Sequence, residues 1–245
     1  MTGATTLEGT PNPEAPNPQL PVVQKLRIRY AKRGRLRFTS HRDFARAFER
    51  AVRRSRLPIG FSSGFSPHPK ISYANAAPTG TASEAEFLEI GLTEAREPDG
   101  VREALDAALP PGLDVLDVVI AAPGPLAERL EASAWRIQVP GADPGELAGA
   151  VASFLAAEEI TVERMTKRGL RAIDIRGAVV ALSVSDTVLD AVVRSAVPTV
   201  RPDDIVAGLR EHGLKEAGAP VAQRVEQGPL REVSGRAEVG DPLRD

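Results

Sequence analysis

A chain of 245 residues has room for one large domain or two small ones, and a hydrophobic content of 42% is enough for a buried core. The absence of cysteine excludes disulfide bonds, thiolate zinc sites, a cysteine nucleophile and a cysteine-ligated iron–sulfur cluster on this chain. The net charge of −2 hides a segregation, because residues 22–92 carry 14 basic against 5 acidic residues and residues 93–245 carry 17 against 26. This basic region is a candidate surface for an anionic partner, although solvated faces of an arginine-rich chain would give the same counts.

The two ends of the chain have the composition of disordered tails. Residues 1–21 contain five prolines, and residues 219–245 mix Gly, Pro and charged residues without apolar periodicity. The first segment also lacks the basic residues of a signal peptide. No stretch approaches the roughly 20 apolar residues of a membrane helix, so we expect a cytoplasmic protein without a membrane partner.

The folded part begins with alternating apolar and basic side chains. Residues 25–31 predict a half-buried strand with a basic outer face, and after a turn the alternation continues over residues 35–39. The arginines on the predicted outer faces are Arg27, Arg29, Arg35 and Arg37.

A helix is predicted from a capping box at Ser40 and Asp43 to about residue 55. Free amides and the helix dipole favour an anion near His41, although capping alone explains Ser40 and Asp43. Arginines at three- and four-residue spacing form a second stripe beside the apolar face: Arg42, Arg46, Arg50 and Arg53.

The loop over residues 61–70 (FSSGFSPHPK) holds His68 between two prolines that stiffen the backbone. Phe61 and Phe65 are candidates for stacking on bases, and Lys70 is a candidate for binding a phosphate. The alternative is that the phenylalanines fill the core and that the prolines only stiffen a turn.

The remaining pattern predicts an α+β protein. Strands at 71–75, 84–92 and 113–121 and a helix at 99–109 complete the order βαββαβ, the ferredoxin-like arrangement. A second round of strands and helices follows, so we predict two tandem ferredoxin-like units with antiparallel sheets. Their predicted bounds are residues 22–122 and 123–218.

His41 and His68 carry the residue types of an acid–base pair for RNA cleavage. With Asp43 they could also make a three-ligand metal site, but no short histidine spacing supports one, and we predict no metal. The sequence contains no P-loop, no dinucleotide-binding glycine fingerprint and no Gly-x-Ser-x-Gly elbow.

Three runs of sequence resemble one bacterial family: residues 35–43 (RLRFTSHRD), 61–72 (FSSGFSPHPKIS) and 86–90 (EFLEI). They are similar to the radical SAM-linked protein family, whose members occur beside, or fused to, a radical S-adenosylmethionine enzyme and whose reaction is not established. The resemblance is strong over residues 24–92 and weaker to about 215. It implies a companion protein without a cofactor of its own, whose partner carries S-adenosylmethionine and a 4Fe-4S cluster.

Three functions follow as hypotheses. The first is an accessory protein, more a binding protein than an enzyme, that positions tRNA or ribosomal RNA for the radical SAM partner. The second is a metal-independent ribonuclease that uses His41 and His68, in fold-level analogy to CRISPR repeat-processing endoribonucleases. The third is an interaction module that docks the partner without RNA. The candidate RNA-binding residues are Arg27, Arg29, Arg35, Arg37, Ser40, His41, Arg42, Arg46, Phe61, Phe65, His68 and Lys70.

Overall fold

The computed structural model describes residues 19–166, 169–215 and 218–244. The helices in these ranges are α1 (His41–Arg54), α2 (Pro98–Ala108), α3 (Pro144–Ala156) and α4 (Pro202–Glu211). The strands are β1 (Gln24–Lys32), β2 (Ile71–Ala74), β3 (Ala82–Leu92), β4 (Val115–Ile120), β5 (Ala132–Gln138), β6 (Thr161–Thr166), β7 (Gly169–Asp174), β8 (Val179–Ser185), β9 (Val188–Arg194), β10 (Val221–Gly228), β11 (Leu230–Val233) and β12 (Arg236–Val239).

One eight-stranded sheet runs through both halves of the molecule. Its order is β4-β1-β3-β10-β5-β9-β8, with β2 also paired to β3. All of its neighbours are antiparallel except β3 and β10, which run parallel. The α+β class is therefore confirmed and the sheet is mixed. Two separate antiparallel sheets are not confirmed, because β10 joins the strands of the first half to those of the second.

The first half buries the apolar face that the alternation in β1 predicts. Leu26 and Ile28 are fully buried and pack with Phe44 and Phe48 of α1 and Leu105 of α2. These side chains recur at helical spacing, so α1 can lay a continuous apolar stripe on the sheet. The predicted helix over residues 40–55 is confirmed within a residue at each end.

The second half has its own core on β5, β8 and β9. Ile137 and Leu189 pack against Phe154 of α3 and against Ile205 and Leu209 of α4. The hairpin of β6 and β7 stands outside the large sheet and contributes Val162 and Ile173 to this core.

The predicted strand over residues 35–39 is wrong. Residues Gly34–Phe38 form a 3₁₀ helix instead, and Gly34 adopts a left-handed φ of 54° that ends the extended backbone. Arg33 immediately before it bonds to Glu84 and to Asp114, the latter at 2.7 Å, and so ties the turn to the sheet.

The predicted disordered tail over residues 219–245 is also wrong. Residues 221–228 form β10 between β3 and β5, and β11 and β12 form a hairpin around Ser234-Gly235. The physical reason is that β10 gains neighbours on both edges, so pairing rather than apolar content holds it. Residues 1–18 of the predicted N-terminal tail lie outside the described residues. Among the helices described, none has the length and apolar character needed to cross a membrane.

Candidate functional site

Helix α1 presents a row of arginines to solvent. Four of them follow one another every four residues, which advances them about 6 Å along the helix and about 40° around it at each step. All four are exposed, and none forms a side-chain hydrogen bond or ion pair with any residue in the described ranges. We call this set the α1 arginine stripe: Arg42, Arg46, Arg50 and Arg54.

The start of α1 is capped as the sequence predicts, with one difference. The Ser40 hydroxyl accepts a hydrogen bond from the Asp43 amide at 3.1 Å and donates one to the Asp43 carboxylate at 2.7 Å. The carboxylate therefore bonds to the Ser40 hydroxyl and not to its amide. His41 is exposed and stands edge-on to Tyr73 of β2, with 5.0 Å between ring centroids.

The loop over residues 61–70 is a tight turn before β2, closed by hydrogen bonds between Ser62 and His68. The Ser62 amide donates to the His68 carbonyl at 2.8 Å, and the His68 amide donates to the Ser62 hydroxyl at 3.0 Å. This pairing leaves the Phe65 side chain at the tip 89% exposed. Phe65 therefore does not fill the core, while Phe61 is at the margin of exposure, and His68 and Lys70 are exposed.

A second exposed aromatic lies on the 3₁₀ helix that precedes α1. Phe38 is 59% exposed, and the guanidinium of Arg37 lies 4.6 Å from its ring centroid. Arg35 on the same turn is exposed. The exposed cations and aromatics of residues 35–70 thus come from three consecutive segments of chain.

Two arginines of the predicted basic face are not on the surface. Arg27 is fully buried and donates to the Gly124 carbonyl and to Glu89, the latter at 3.4 Å. Arg29 is half-buried and donates to the Glu84 carbonyl at 2.8 Å. The prediction that β1 has a solvent-exposed basic face is therefore wrong at Arg27. The reason is that a second layer, including Leu126, Leu130 and Leu243, covers that face of the sheet.

The two histidines have different surroundings. His41 contacts Tyr73, whereas the backbone of His68 is hydrogen-bonded to Ser62 of the same loop. Within the described residues no group of His, Cys, Asp and Glu could hold a metal ion. Among the residues described, no hydrogen bond or ring contact joins the two histidines.

A cleft of about 850 Å³ lies between the two halves. Its floor is formed by β5, β9 and β10, and its sides are the turn before β3 and the segment between β9 and α4. Its lining includes Trp135, Arg194, Arg201, Arg224 and Gln227.

A row of side chains crosses the sheet beside this cleft. Lys32 of β1 lies opposite Ser83 of β3, which lies opposite Arg224 of β10, which lies opposite Trp135 of β5. Lys32 and Arg224 are both buried. The Arg224 guanidinium pairs with the fully buried Glu86, donates to the Asn75 carbonyl at 2.8 Å and lies 5.6 Å from the Trp135 ring centroid.

The buried charges perturb one another. Burial lowers the pKa of Lys32 below its usual value; the Glu86 carboxylate opposes this shift and the Arg224 guanidinium adds to it. Two cations and one carboxylate share this part of the interior, so the group has a surplus positive charge whenever Lys32 is protonated.

Comparison with known proteins places the chain in a family. Residues 25–202 match a family described as "Uncharacterized protein conserved in bacteria (DUF2344)". The chain belongs to this family. The matched range of DUF2344 includes the α1 arginine stripe, the loop over residues 61–70 and Trp135, and it ends at the first residue of α4, before β10.

The DUF2344 description names no reaction and no partner. No curated protein matches the chain. A solved structure, "Crystal Structure of an Unknown Protein from Galdieria sulphuraria", is similar at 16% identity and a TM-score of 0.25, covering 77% of this chain and 91% of that one. That TM-score is too low to establish a common fold.

The sequence did not predict the cleft. Arg224 and Gln227 lie in the segment whose composition predicts a disordered tail. One signal was available: Ser234-Gly235 is a turn dipeptide between two short runs that each contain valine, which predicts a hairpin.

Proposed function

We propose that this DUF2344 protein binds RNA, a tRNA or ribosomal RNA, and positions it for a radical SAM enzyme. The observation that carries the proposal is the α1 arginine stripe. Its four exposed guanidiniums have no partner in the part of the chain that the structure describes, and they can bind phosphates. Evenly spaced cations along a rigid helix suit a polyanion better than a single small anion.

The neighbouring aromatics support RNA over other polyanions. Phe38 and Phe65 expose their rings on the segments of chain before and after α1, and base stacking on such rings contributes about 1–3 kcal/mol per base. His41 and Lys70 add polar contacts at the two ends of this surface. Arg27 and Arg29 drop out of the proposed interface because the protein itself uses their guanidiniums.

The strand orders support a finer fold assignment. The first half has the order β4-β1-β3-β2, and the second half has β10-β5-β9-β8. Each corresponds to 4-1-3-2 when the strands of one βαββαβ unit are counted in chain order, with the separate β6–β7 hairpin left out of the second count. We propose two ferredoxin-like units that join through β10, so that the second ends at residue 228 rather than 218.

The radical SAM partner is proposed from the resemblance of residues 35–43, 61–72 and 86–90 to the radical SAM-linked family. A radical SAM enzyme holds its cluster with cysteines, and this chain has none. The 4Fe-4S cluster and S-adenosylmethionine would therefore be bound by the partner, while this chain supplies the RNA contact.

The test is a salt titration of RNA binding by a charge-reversal variant and a matched control. Labelled bulk tRNA is titrated with the wild type, with Arg46→Glu/Arg50→Glu, and with Arg171→Glu/Arg236→Glu, which changes two exposed arginines of the second half and C-terminal hairpin. The α1 variant should bind about tenfold more weakly or worse, and the slope of log K against log salt should fall by about 1 per arginine. The control should keep the wild-type slope.

Three results would contradict RNA binding or favour another function. Undetectable or salt-insensitive RNA binding removes it. Cleavage of RNA in EDTA that disappears in His41→Ala/His68→Ala would establish the ribonuclease function instead. Capture of a radical SAM enzyme from native cells after nuclease treatment, with no RNA retained, would favour the interaction module.

A further inference from the structure

The floor of the cleft holds two buried polar atoms that have no partner within the described chain. They are Nε of Arg224, a donor, and Oε1 of Gln227, an acceptor. Both residues are 3% exposed, and both line the cavity. Buried polar atoms in native proteins are nearly always paired, because an unpaired one destabilises the fold. A ligand that offers an acceptor to Arg224 and a donor to Gln227 would satisfy both atoms.

The charges around the cleft favour an anion. Lys32 and Arg224 outnumber Glu86 in the interior, and a bound anion would raise the pKa of Lys32 towards its usual value. Arg194 and Arg201 lie at the rim, at the two ends of the segment between β9 and α4.

The start of α4 also opens on this rim. Its first turn carries Asp204, whose carboxylate accepts from the Arg201 amide at 2.8 Å and pairs with Arg164 at 2.7 Å. Because Arg164 neutralises that carboxylate, the exposed Asp203 is the acidic residue of this turn that opposes the helix start and the rim arginines.

The size and walls of the cleft favour an organic ligand over an inorganic ion. Its volume of about 850 Å³ lies in the range of small-molecule sites, about 300–1,000 Å³. Trp135, Val193, Val200 and Pro202 give it apolar walls beside the polar floor.

We infer that the cleft binds a single nucleotide. The edge of a base supplies the adjacent donor and acceptor that Gln227 and Arg224 require, and the phosphate lies at the rim near Arg194 and Arg201. The inference does not depend on RNA binding by α1. The nucleotide has two sources, a free ribonucleoside monophosphate or the end of an RNA chain.

The fluorescence of Trp135 reports directly on this site, because it is the single tryptophan of the chain and lines the cavity. Each of the four ribonucleoside monophosphates is titrated into the full chain, with calorimetry on the same samples. Inorganic phosphate and the corresponding nucleosides are the controls. A monophosphate should change the fluorescence and bind at least about tenfold more tightly than its nucleoside or phosphate alone.

Gln227→Met separates a ligand-binding role from a structural one. The change keeps the volume and removes the unpaired acceptor, so thermal stability should stay equal or rise while nucleotide affinity falls about tenfold. The control is Gln138→Met, whose amide donates to the Thr187 hydroxyl at 2.6 Å outside the cleft. That variant should lose stability and keep nucleotide affinity.

Each result of these titrations either supports or overturns nucleotide binding at the cleft. Absence of fluorescence and heat changes with every monophosphate, or equal affinity in Gln227→Met and the wild type, overturns the inference. Should Gln227→Met not fold, Arg194→Ala replaces it and must weaken monophosphate binding but not nucleoside binding. The variant Arg46→Glu/Arg50→Glu must keep mononucleotide affinity, so failure at the cleft and failure at α1 are distinguished. A short oligoribonucleotide that competes with the bound monophosphate would identify an RNA end as the source.

Discussion

The α1 surface and the cleft use arginine in opposite ways. On α1, Arg46 and Arg50 are exposed and have no side-chain partner among the described residues, so they are accessible to a partner and contribute little to folding. Beside the cleft, Arg224 is buried and paired with Glu86, 138 residues away in the chain. The number of arginines in a segment therefore does not indicate which of them are accessible to a partner. That depends on whether the opposite face of the sheet is covered.

The largest expected effect comes from breaking the buried pair. Arg224→Met leaves the Glu86 carboxylate buried without its cation and should lower the free energy of unfolding by about 3–5 kcal/mol. Arg136→Met is the matched control, because its pair with Asp190 at 3.0 Å is more than half exposed. It should cost at most about 1 kcal/mol in the same urea titration. An equal decrease in the free energy of unfolding for both variants would contradict the burial of the Arg224–Glu86 pair.

The exposed aromatic on the loop should matter for binding only. Phe65→Ser should weaken RNA binding by about 1–3 kcal/mol and leave the urea midpoint unchanged, because the ring is 89% exposed. Val197→Ser, at a fully exposed position on the cleft side, should change neither quantity. A Phe65 variant that binds RNA normally would remove stacking from the proposal, and one that unfolds would show that the ring packs.

The two tyrosines, whose rings both contact Phe44 of α1, provide a pH test of the first half. Burial raises the pKa of Tyr30 beside Glu86 and that of Tyr73 under His41, and Glu86 and Glu49 respectively add to the shifts. The unfolded chain loses these protons near pH 10, before the folded one. The free energy of unfolding should therefore fall above pH 10, by up to about 1.4 kcal/mol per tyrosine and pH unit.

Absorbance of tyrosinate and circular dichroism, followed together, check this result. Tyrosinate should appear only as the protein unfolds, because the sequence contains no other tyrosine. Tyr30→Phe and Tyr73→Phe should each remove part of the pH slope. A tyrosinate titration centred near pH 10 in a protein that keeps its native dichroism would contradict the burial of both hydroxyls.

Local signals made the first half of the fold predictable. The helix predicted over residues 40–55 exists at His41–Arg54, because its cap and its apolar spacing are both local. The predicted strand over residues 25–31 lies within β1 for the same reason. The α1 arginine stripe was nearly complete from sequence, with Arg53 in place of Arg54. Arg53 instead lies 4.0 Å from Glu49.

The errors arise where distant segments decide the structure. Nothing in residues 221–228 indicates that β3 and β5 lie on either side of them, so β10 was interpreted as a tail. Alternating apolar and basic residues predict the two faces of a strand, but they do not indicate whether other residues cover the basic face. The alternation in β1 therefore predicts an exposed Arg27, which the structure buries. The cleft depends on the pairing of β10 and on which faces of the sheet are covered, and neither can be predicted from local sequence.

Photo-crosslinking of bound RNA tests the central claim most directly. After irradiation of the protein with tRNA and digestion, mass spectrometry locates the peptides that carry nucleotides. The account predicts crosslinks within residues 35–70, above all at Phe65 and Phe38, and their loss in Arg46→Glu/Arg50→Glu. Crosslinks confined to the second half of the chain, unchanged in that variant, would contradict it.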